Sequence, residues 1–387
     1  MCEPDCQRSG IGSSTVSSHC NRRVHPTRRN FVVAESRVRT PRQRERVKEK
    51  LRAEILEAGF DRVGFTDTSI LKKDRDYLEK RGPGPFEPTD LPPRTDPQSW
   101  LPNARTVVCV ALSYHHPDPP KPNGPRGRLS KYCRGYDYHD LMLERLQTVA
   151  DSWKSRFKVK SECFVDTGPP LERPFAEKAG LGRVGKNTNL IIPRLGSWVF
   201  LGILVTELHI EPDPPADYSI CGSCRLCLDA CPTQCLTEWE LDSENCLGYL
   251  NQKFDDIPLQ HREAMDDWLF GCDICQDVCP HNTKSATALH SEFAPLQEPG
   301  AYPDLKKLVH MTDQQFELWF RPTAADWRGP EALRRNALVA LGNSREEEAV
   351  DVLLDTDFKG LLAEHTDWAR QQLARRFPHR KKELLRS

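Results

Sequence analysis

The stretch CGSCRLCLDACPTQC, residues 221–235, sets four cysteines in a C-x2-C-x2-C-x3-C-P pattern that ends at Cys231-Pro232. A structural zinc site takes four ligands, usually from two C-x2-C pairs set far apart. Four thiols within eleven residues, with proline directly behind the last, is instead an iron–sulfur run. In such a run three cysteines hold one [4Fe–4S] cubane and the fourth serves another. Proline fixes the backbone as it leaves the cluster and removes a donor there. A second run, GCDICQDVCP, supplies Cys272, Cys275 and Cys279-Pro280. It lacks a cysteine three before Cys272, where Leu269 stands, so one ligand must come from elsewhere. Cys235 and Cys246 are the candidates, and Cys246 is preferred because a free loop can bring it back. Cys221, Cys224, Cys227 and Cys279 then hold one cluster, and Cys231, Cys246, Cys272 and Cys275 the other. Two neighbouring cubanes form a wire for single electrons at low potential, fed by an external donor. The radical-enzyme spacing C-x3-C-x2-C fails, because Glu238 stands where its third cysteine belongs.

Composition bounds the rest. A chain of 387 residues, 38% hydrophobic, can bury one large core or two modest ones. A net charge of -1 names no partner. Residues 1–50 are uneven, with 12 Lys/Arg against 5 Asp/Glu. Residues 1–45 are rich in Arg, Ser and Pro without apolar periodicity, and read as a disordered basic tail. TRRNFVV, residues 27–33, imitates a twin-arginine signal, but a polar, charged stretch follows where an apolar one is required. The longest apolar run, LGSWVFLGILV at 195–205, is far shorter than the roughly 20 residues a span needs. Eight of the 15 cysteines stand at ligand spacing within residues 221–279, not at disulfide spacing, so a reducing cytoplasm and no membrane are expected.

The periodicities give an α+β or α/β catalytic domain over residues 46–215. Val47, Leu51 and Ile55 lie four apart on a helix that Gly59 can close. DRVGFTD reads as a short strand, TVVCVALSY as a buried one, and KSECFVDT and SWVFLGILVTEL as two more. A helix is expected from about Tyr138 to Phe157, and residues 80–104 and 115–132 are Pro-rich connections. A cysteine-rich segment, 216–290, and a helical tail, 291–387, follow.

Asp166 ends a strand ahead of Gly168-Pro169-Pro170, a segment too stiff to wander. Alone, that aspartate reads as a turn or cap residue. KAGLGRVG could cradle phosphate, but follows no strand. The wider pattern adds to this reading. RTDPQSWLPNARTVVCVALSY (94–114), GRLSKYCRGYDYHDLM (127–142), FVDTGPPLERPFAEKAGLGRVGKNTNLI (164–191), GSWVFLGILVTEL, both cysteine runs and LRRNALVALGN (333–343) occur in order. Together they resemble the epoxyqueuosine reductases, cobalamin-dependent iron–sulfur enzymes that complete queuosine in tRNA.

The resemblance implies a nitroreductase-like α+β domain holding cobalamin, a ferredoxin-like insert with two [4Fe–4S] clusters, and C-terminal HEAT-like repeats. It implies a cytoplasmic monomer that reduces the epoxide of epoxyqueuosine at the tRNA wobble position, with Asp166 as proton donor. A carboxyl acting so near neutrality needs its pKa raised by burial. Arg94, Asp166, Ile191, Gly202 and Gly248 would contact the corrinoid, although the family often has Ser where Gly248 stands. Asp137-Tyr138-His139 begins a D-x-H-x-x-G cobalt motif, but residue 142 is Met, so His139 is expected to be structural. Cys235, where the family has alanine, is expected to be a small buried residue. Residues 365–387 carry seven Lys/Arg and two Asp/Glu, and are expected to meet tRNA phosphates. Two rival readings share the cofactor plan, a reductive dehalogenase and a non-catalytic corrinoid or electron carrier.

Overall fold

The computed structural model describes residues 40–87 and 93–385. Most of the expected basic tail lies outside these residues. Its last part is helical: α1 (Pro41–Glu57) starts on a capping box between Thr40 and Gln43. Leu51 and Ile55 are buried beneath it, whereas Val47 is exposed. Gly59 adopts φ +95° just past its end, as a closing glycine does.

The central sheet has four strands: β1 (Arg62–Thr66), β2 (Thr106–Ser113), β3 (Ser161–Phe164) and β4 (Val199–Thr206). Their spatial order is β1-β2-β4-β3 and every pairing is antiparallel, which makes the domain α+β. All eight residues of β2 are buried. Alternation splits them between two cores. Val108, Val110 and Leu112 face α1 and α2 (Tyr138–Phe157), while Val107, Cys109 and Ala111 face α3 (Glu172–Lys178) and residues 181–195. Helix α2 has the expected bounds, and it packs Met142, Leu146, Val149 and Trp153 on the sheet. Gly64 lets the end of α3 close on β1, since a Cβ there would lie 2.2 Å from the Ala179 carbonyl oxygen.

The cysteine segment carries α4 (Leu226–Ala230) and α5 (Ile274–Asp277), which pack together. Trp268–Phe270 pairs in parallel with Arg128–Leu129 and so ties this segment to the catalytic domain. Beyond it come α6 (Gly329–Asn343), α7 (Glu348–Leu354) and α8 (Leu361–Arg376). Gly342 of α6 faces Trp368 of α8, where a Cβ would come within 2.6 Å of the ring. Among the described residues no helix is long and apolar enough to cross a membrane.

Helix α6 also holds the cysteine segment in place. Arg335, 1% exposed, donates to the carbonyls of Lys253 (2.7 Å), Asp255 (2.6 Å) and Asn251 (3.1 Å). Asn336 donates to the Asn251 and Leu269 carbonyls, each at 2.7 Å. Asn336→Ala removes the donor to the buried Leu269 carbonyl and the Oδ1 acceptor of Arg335, at an expected cost of about 2–4 kcal/mol. Asn343, which bonds carbonyls nearer the surface, should cost less than half as much as Ala. Equal shifts in denaturant midpoint for the two variants would contradict this.

Candidate active site

The site is built from the start of α2 outward. Asp137 caps the helix, accepting the His139 backbone N–H at 2.9 Å. The same Oδ1 lies 2.7 Å from His139 Nδ1, so that nitrogen carries a proton and Nε2 points onward. Nε2 meets Asp166 Oδ2 at 3.4 Å. Tyr138 stacks between the His139 and Phe200 rings, with centroids 4.0 and 3.9 Å away, and fixes the imidazole plane. Desolvation works against the charged ring, but hydrogen bonds and charge from Asp137 and Asp166 overcome it and hold His139 at about 9. His139 is therefore a cation at neutral pH. Both ring nitrogens of His139 face carboxylates, an arrangement the sequence reading of a structural histidine does not foresee.

Asp166 sits one residue past Val165 with φ +52°, a left-handed conformation strained for a side chain bearing a Cβ. Its N–H donates to Glu172 Oε1 at 2.7 Å, the contact that pins the turn. Its side chain is 60% exposed. Desolvation in the cleft would raise its carboxyl, but the hydrogen bond and charge of His139, with Tyr138 and Arg173, hold it below the usual range. The expected raised pKa is thus not on Asp166. It is on its neighbour Glu172, which desolvation and the Asp166 charge push up to about 8.

Asp166, Glu172 and Arg173 line a cleft of ≈ 400 Å³ with aromatic walls of Tyr114, Tyr132, Tyr138 and Phe200. Gly271, Cys272, Asp273 and Gln276, from the second cysteine run, line the same cleft. Gly248 lines it as well. Arg94, Ile191 and Gly202 are not among its lining residues. Arg94 binds Glu87 and the Pro169 carbonyl. Leu190 and Leu201, the neighbours of Ile191 and Gly202, line the cleft. On β4, a Cβ on Gly202 would meet Leu146, Met142 and Val110 at 3.2 Å, on the face of the sheet that Phe200 shares.

The thiols gather beside the cleft. Burial raises Cys279, with Cys221 and Cys224 among its neighbours. Burial also raises Cys275, next to Cys272, Cys227 and Cys231. Cys246 lies by Cys272 and Cys275, and a hydrogen bond with Cys235 is the chief cause of its lowered pKa. The backbone N–H of Lys186 donates to Cys221 Sγ at 3.4 Å. An all-sulfur donor set in two adjoining groups suits a pair of [4Fe–4S] clusters. Cys235 intrudes: it is 6% exposed, its Sγ is 3.4 Å from that of Cys231, and it stands between Cys231 and Cys246.

Fold and cleft together define a class: an iron–sulfur oxidoreductase in which a two-cluster segment borders a cleft lined with acid–base groups. The family model for epoxyqueuosine reductase QueG, DUF1730, matches residues 94–167, and that for a 4Fe-4S double cluster binding domain matches residues 220–282. The epoxyqueuosine reductase of Bacillus subtilis (strain 168) is 35% identical over 325 residues, spanning 79% of this chain and 82% of that one. That of Lactococcus garvieae (strain Lg2) is 33% identical, over 84% and 96%. A crystal structure of an epoxyqueuosine reductase with a tRNA-Tyr epoxyqueuosine-modified stem loop superposes with TM-score 0.79 at 31% identity, covering 88% of this chain and 97% of that one. A Bacillus subtilis structure with its catalytic loop swung out of the active site gives 0.78 at 30%, over 88% and 98%. The chain belongs to the epoxyqueuosine reductase family.

Anaerobic reconstitution is expected to load about eight irons per chain. Cys246→Ala should lose one cluster, and Cys235→Ala should lose none despite its position. Iron and sulfide analysis with EPR decides, and the reverse pattern would exchange the two ligands.

Proposed function

We propose that this chain reduces epoxyqueuosine to queuosine in tRNA, using cobalamin and two [4Fe–4S] clusters that take electrons from an external low-potential donor. One observation carries the reading: one cleft is lined both by Asp166, which His139 meets from behind, and by the cluster thiol Cys272. The names of the relatives, and the modified stem loop bound to one of them, support the substrate. Membership of this family sets aside the dehalogenase and carrier readings.

The cleft suits a corrinoid. Its aromatic walls offer flat apolar faces, and Gly248 leaves room beside the cluster segment. Tyr114, Tyr132, Phe200 and Leu201 would hold the macrocycle, and His139, engaged on both nitrogens, would stay off the metal. Bound there, cobalamin supplies a strongly reducing cobalt centre for the two-electron opening of the epoxide. The reaction consumes two electrons and two protons and yields an alkene and water. The epoxide oxygen leaves as water only if protons reach it, and the chain holds them at two atoms. His139 Nε2 passes one through Asp166 Oδ2, and the Glu172 carboxyl holds a second next to it. We read residues 46–215 as the corrinoid domain with a nitroreductase-like sheet, 216–290 as the cluster domain, and 291–387 as HEAT-like.

The basic tail divides on inspection. Arg376 is committed to the Gly342 and Ser344 carbonyls, and Arg380 to Asp351 and Glu383. Arg375, Lys381 and Lys382 are exposed and form the remaining phosphate-facing set. Reversing these three to Glu is expected to weaken tRNA binding and flatten the slope of log affinity against log salt. An unchanged slope removes this face from the interface.

Asp166→Asn keeps shape but transmits no proton. Turnover on tRNA bearing epoxyqueuosine is expected to fall about a hundredfold or more, with clusters and tRNA binding kept. Both proton sources are protonated below their pKa, so wild-type turnover should hold at neutrality and fall from pH 8 to pH 9, as Glu172 and then His139 lose their protons. In Asp166→Asn the histidine loses a carboxylate, so the residual limb should move to lower pH. Near wild-type turnover in the variant, or a flat profile through pH 9, would sink the assignment.

A further inference from the structure

An exposed aromatic cluster at the rim of the cleft serves neither the core nor the proton pair. Phe86, Phe254 and Trp327 keep 42%, 66% and 51% of their surface in solvent. Arg328 lies across all three, its guanidinium carbon 3.4 Å from the Trp327 ring centre, 4.3 Å from Phe254 and 4.7 Å from Phe86. Phe86 meets Tyr249 edge-on at 4.7 Å and Trp327 at 5.4 Å. Arg328 Nε is buried with no hydrogen-bond partner among the described residues. A half-buried guanidinium with one bare buried donor, set among large rings facing water, is unfavourable when left uncovered.

Two connections place this cluster at the mouth of the cleft. Tyr249 follows Gly248, and its carbonyl accepts the backbone N–H of Gln252 at 2.9 Å; Gly248 and Gln252 both line the cleft. On the other side Asp326, one residue before Trp327, lies close enough to Asp137 for their charges to repel, and Asp137 holds His139. The cluster thus extends the cleft past its proton-donating side.

Its chemistry fits unpaired nucleotides. Every base presents a π-face to an aromatic ring or a guanidinium plane, and the arginine charge suits the neighbouring phosphates. An enzyme that works on one base of a loop must hold the flanking bases apart from it. We propose that Phe86, Phe254, Trp327 and Arg328 stack the anticodon-loop nucleotides beside the wobble nucleotide and splay that nucleotide into the cleft, an inference that rests on the tRNA reading above.

The probe is a labelled anticodon stem-loop RNA with unmodified guanine at the wobble position, titrated into cluster-loaded enzyme. Because this RNA is not reduced, its binding is read separately from whether the enzyme turns over epoxyqueuosine. Trp327→Ala and Phe254→Ala are each expected to weaken binding about tenfold, as loss of one stacked base does. The salt slope should stay unchanged, because no phosphate contact is removed. Trp327→Phe, which keeps a ring, should restore most of the affinity, and so separates stacking from misfolding. A blunt duplex of the same stem should bind all variants equally. Wild-type affinity in both alanine variants overturns the proposal, and so does an equal loss on the duplex. Unchanged RNA binding with slower cluster reduction by a protein donor would also overturn it, and would assign the surface to donor docking.

Discussion

The cleft depends on a chain of hydrogen bonds that begins on α6 and ends at a cluster cysteine. Arg335 and Asn336 hold the carbonyls of residues 251–255 and Leu269. Asn251 then grips Gly271 on both backbone groups, donating to its carbonyl at 2.8 Å and accepting its N–H at 3.0 Å. Gly271 adopts φ +68° and precedes Cys272, so this grip sets where the thiol enters the cleft wall. Among the described residues the hydrogen bonds of Arg335 go to carbonyls and the Asn336 side-chain amide, while the Asp255 and Asp256 charges act on it without forming an ion pair. Burial lowers its pKa to about 10, which still leaves it charged at neutrality, and peptide oxygens take up that charge. A helix some sixty residues beyond Cys272 therefore belongs to the redox site as firmly as the cysteines do.

The proton side is assembled from different forces. A helix cap orients His139, a stacked tyrosine fixes its plane, and a strained turn brings Asp166 against it. A carboxyl raised by burial, the device expected from sequence, would need a dry setting. Asp166 is largely exposed, and the fold instead keeps the proton one atom behind it on an imidazolium between two carboxylates. An exposed turn can then serve the chemistry without becoming a neutral acid. The left-handed φ stores strain that the Glu172 contact offsets, which suits a residue that must be placed accurately and released.

What was legible in the sequence was local. Cysteine spacing, the periodicity of α2 and the continuous apolar run of β2 all report on neighbours a few residues away, and short-range geometry fixes them. The site residues that escaped are products of tertiary packing. His139 lies on a helix, and Asp166 reaches it only because β3 pairs with β4 beneath that helix. Ile191 and Gly202 adjoin Leu190 and Leu201, which line the cleft, and tertiary packing rather than local composition sets which part of each strand reaches it. Arg335 looks like a surface charge in LRRNALVALGN, and nothing local reveals that carbonyls from residues 251–255 surround it. The aromatic rim joins three distant segments, so no sequence window contains it.

The arrangement also separates two deliveries. In the proposed reaction electrons would enter from the segment around Cys272 and protons from His139 and Glu172 by way of Asp166, on elements remote in sequence. Tyr132 lies between them, close enough to feel the charges of both Asp166 and Asp273, with desolvation holding its phenol neutral far above neutrality. A wall of neutral aromatic side chains lowers the local dielectric, so charge on one side of the cleft acts strongly on the other. Adding an electron near Cys272 then favours a proton near Asp166, and the pair His139–Glu172 is poised to answer it at neutral pH. Coupling of this kind needs no moving part, only two charged systems held at fixed separation across an aromatic wall, and the α6 hydrogen bonds and the Asp137 cap each hold one side in place.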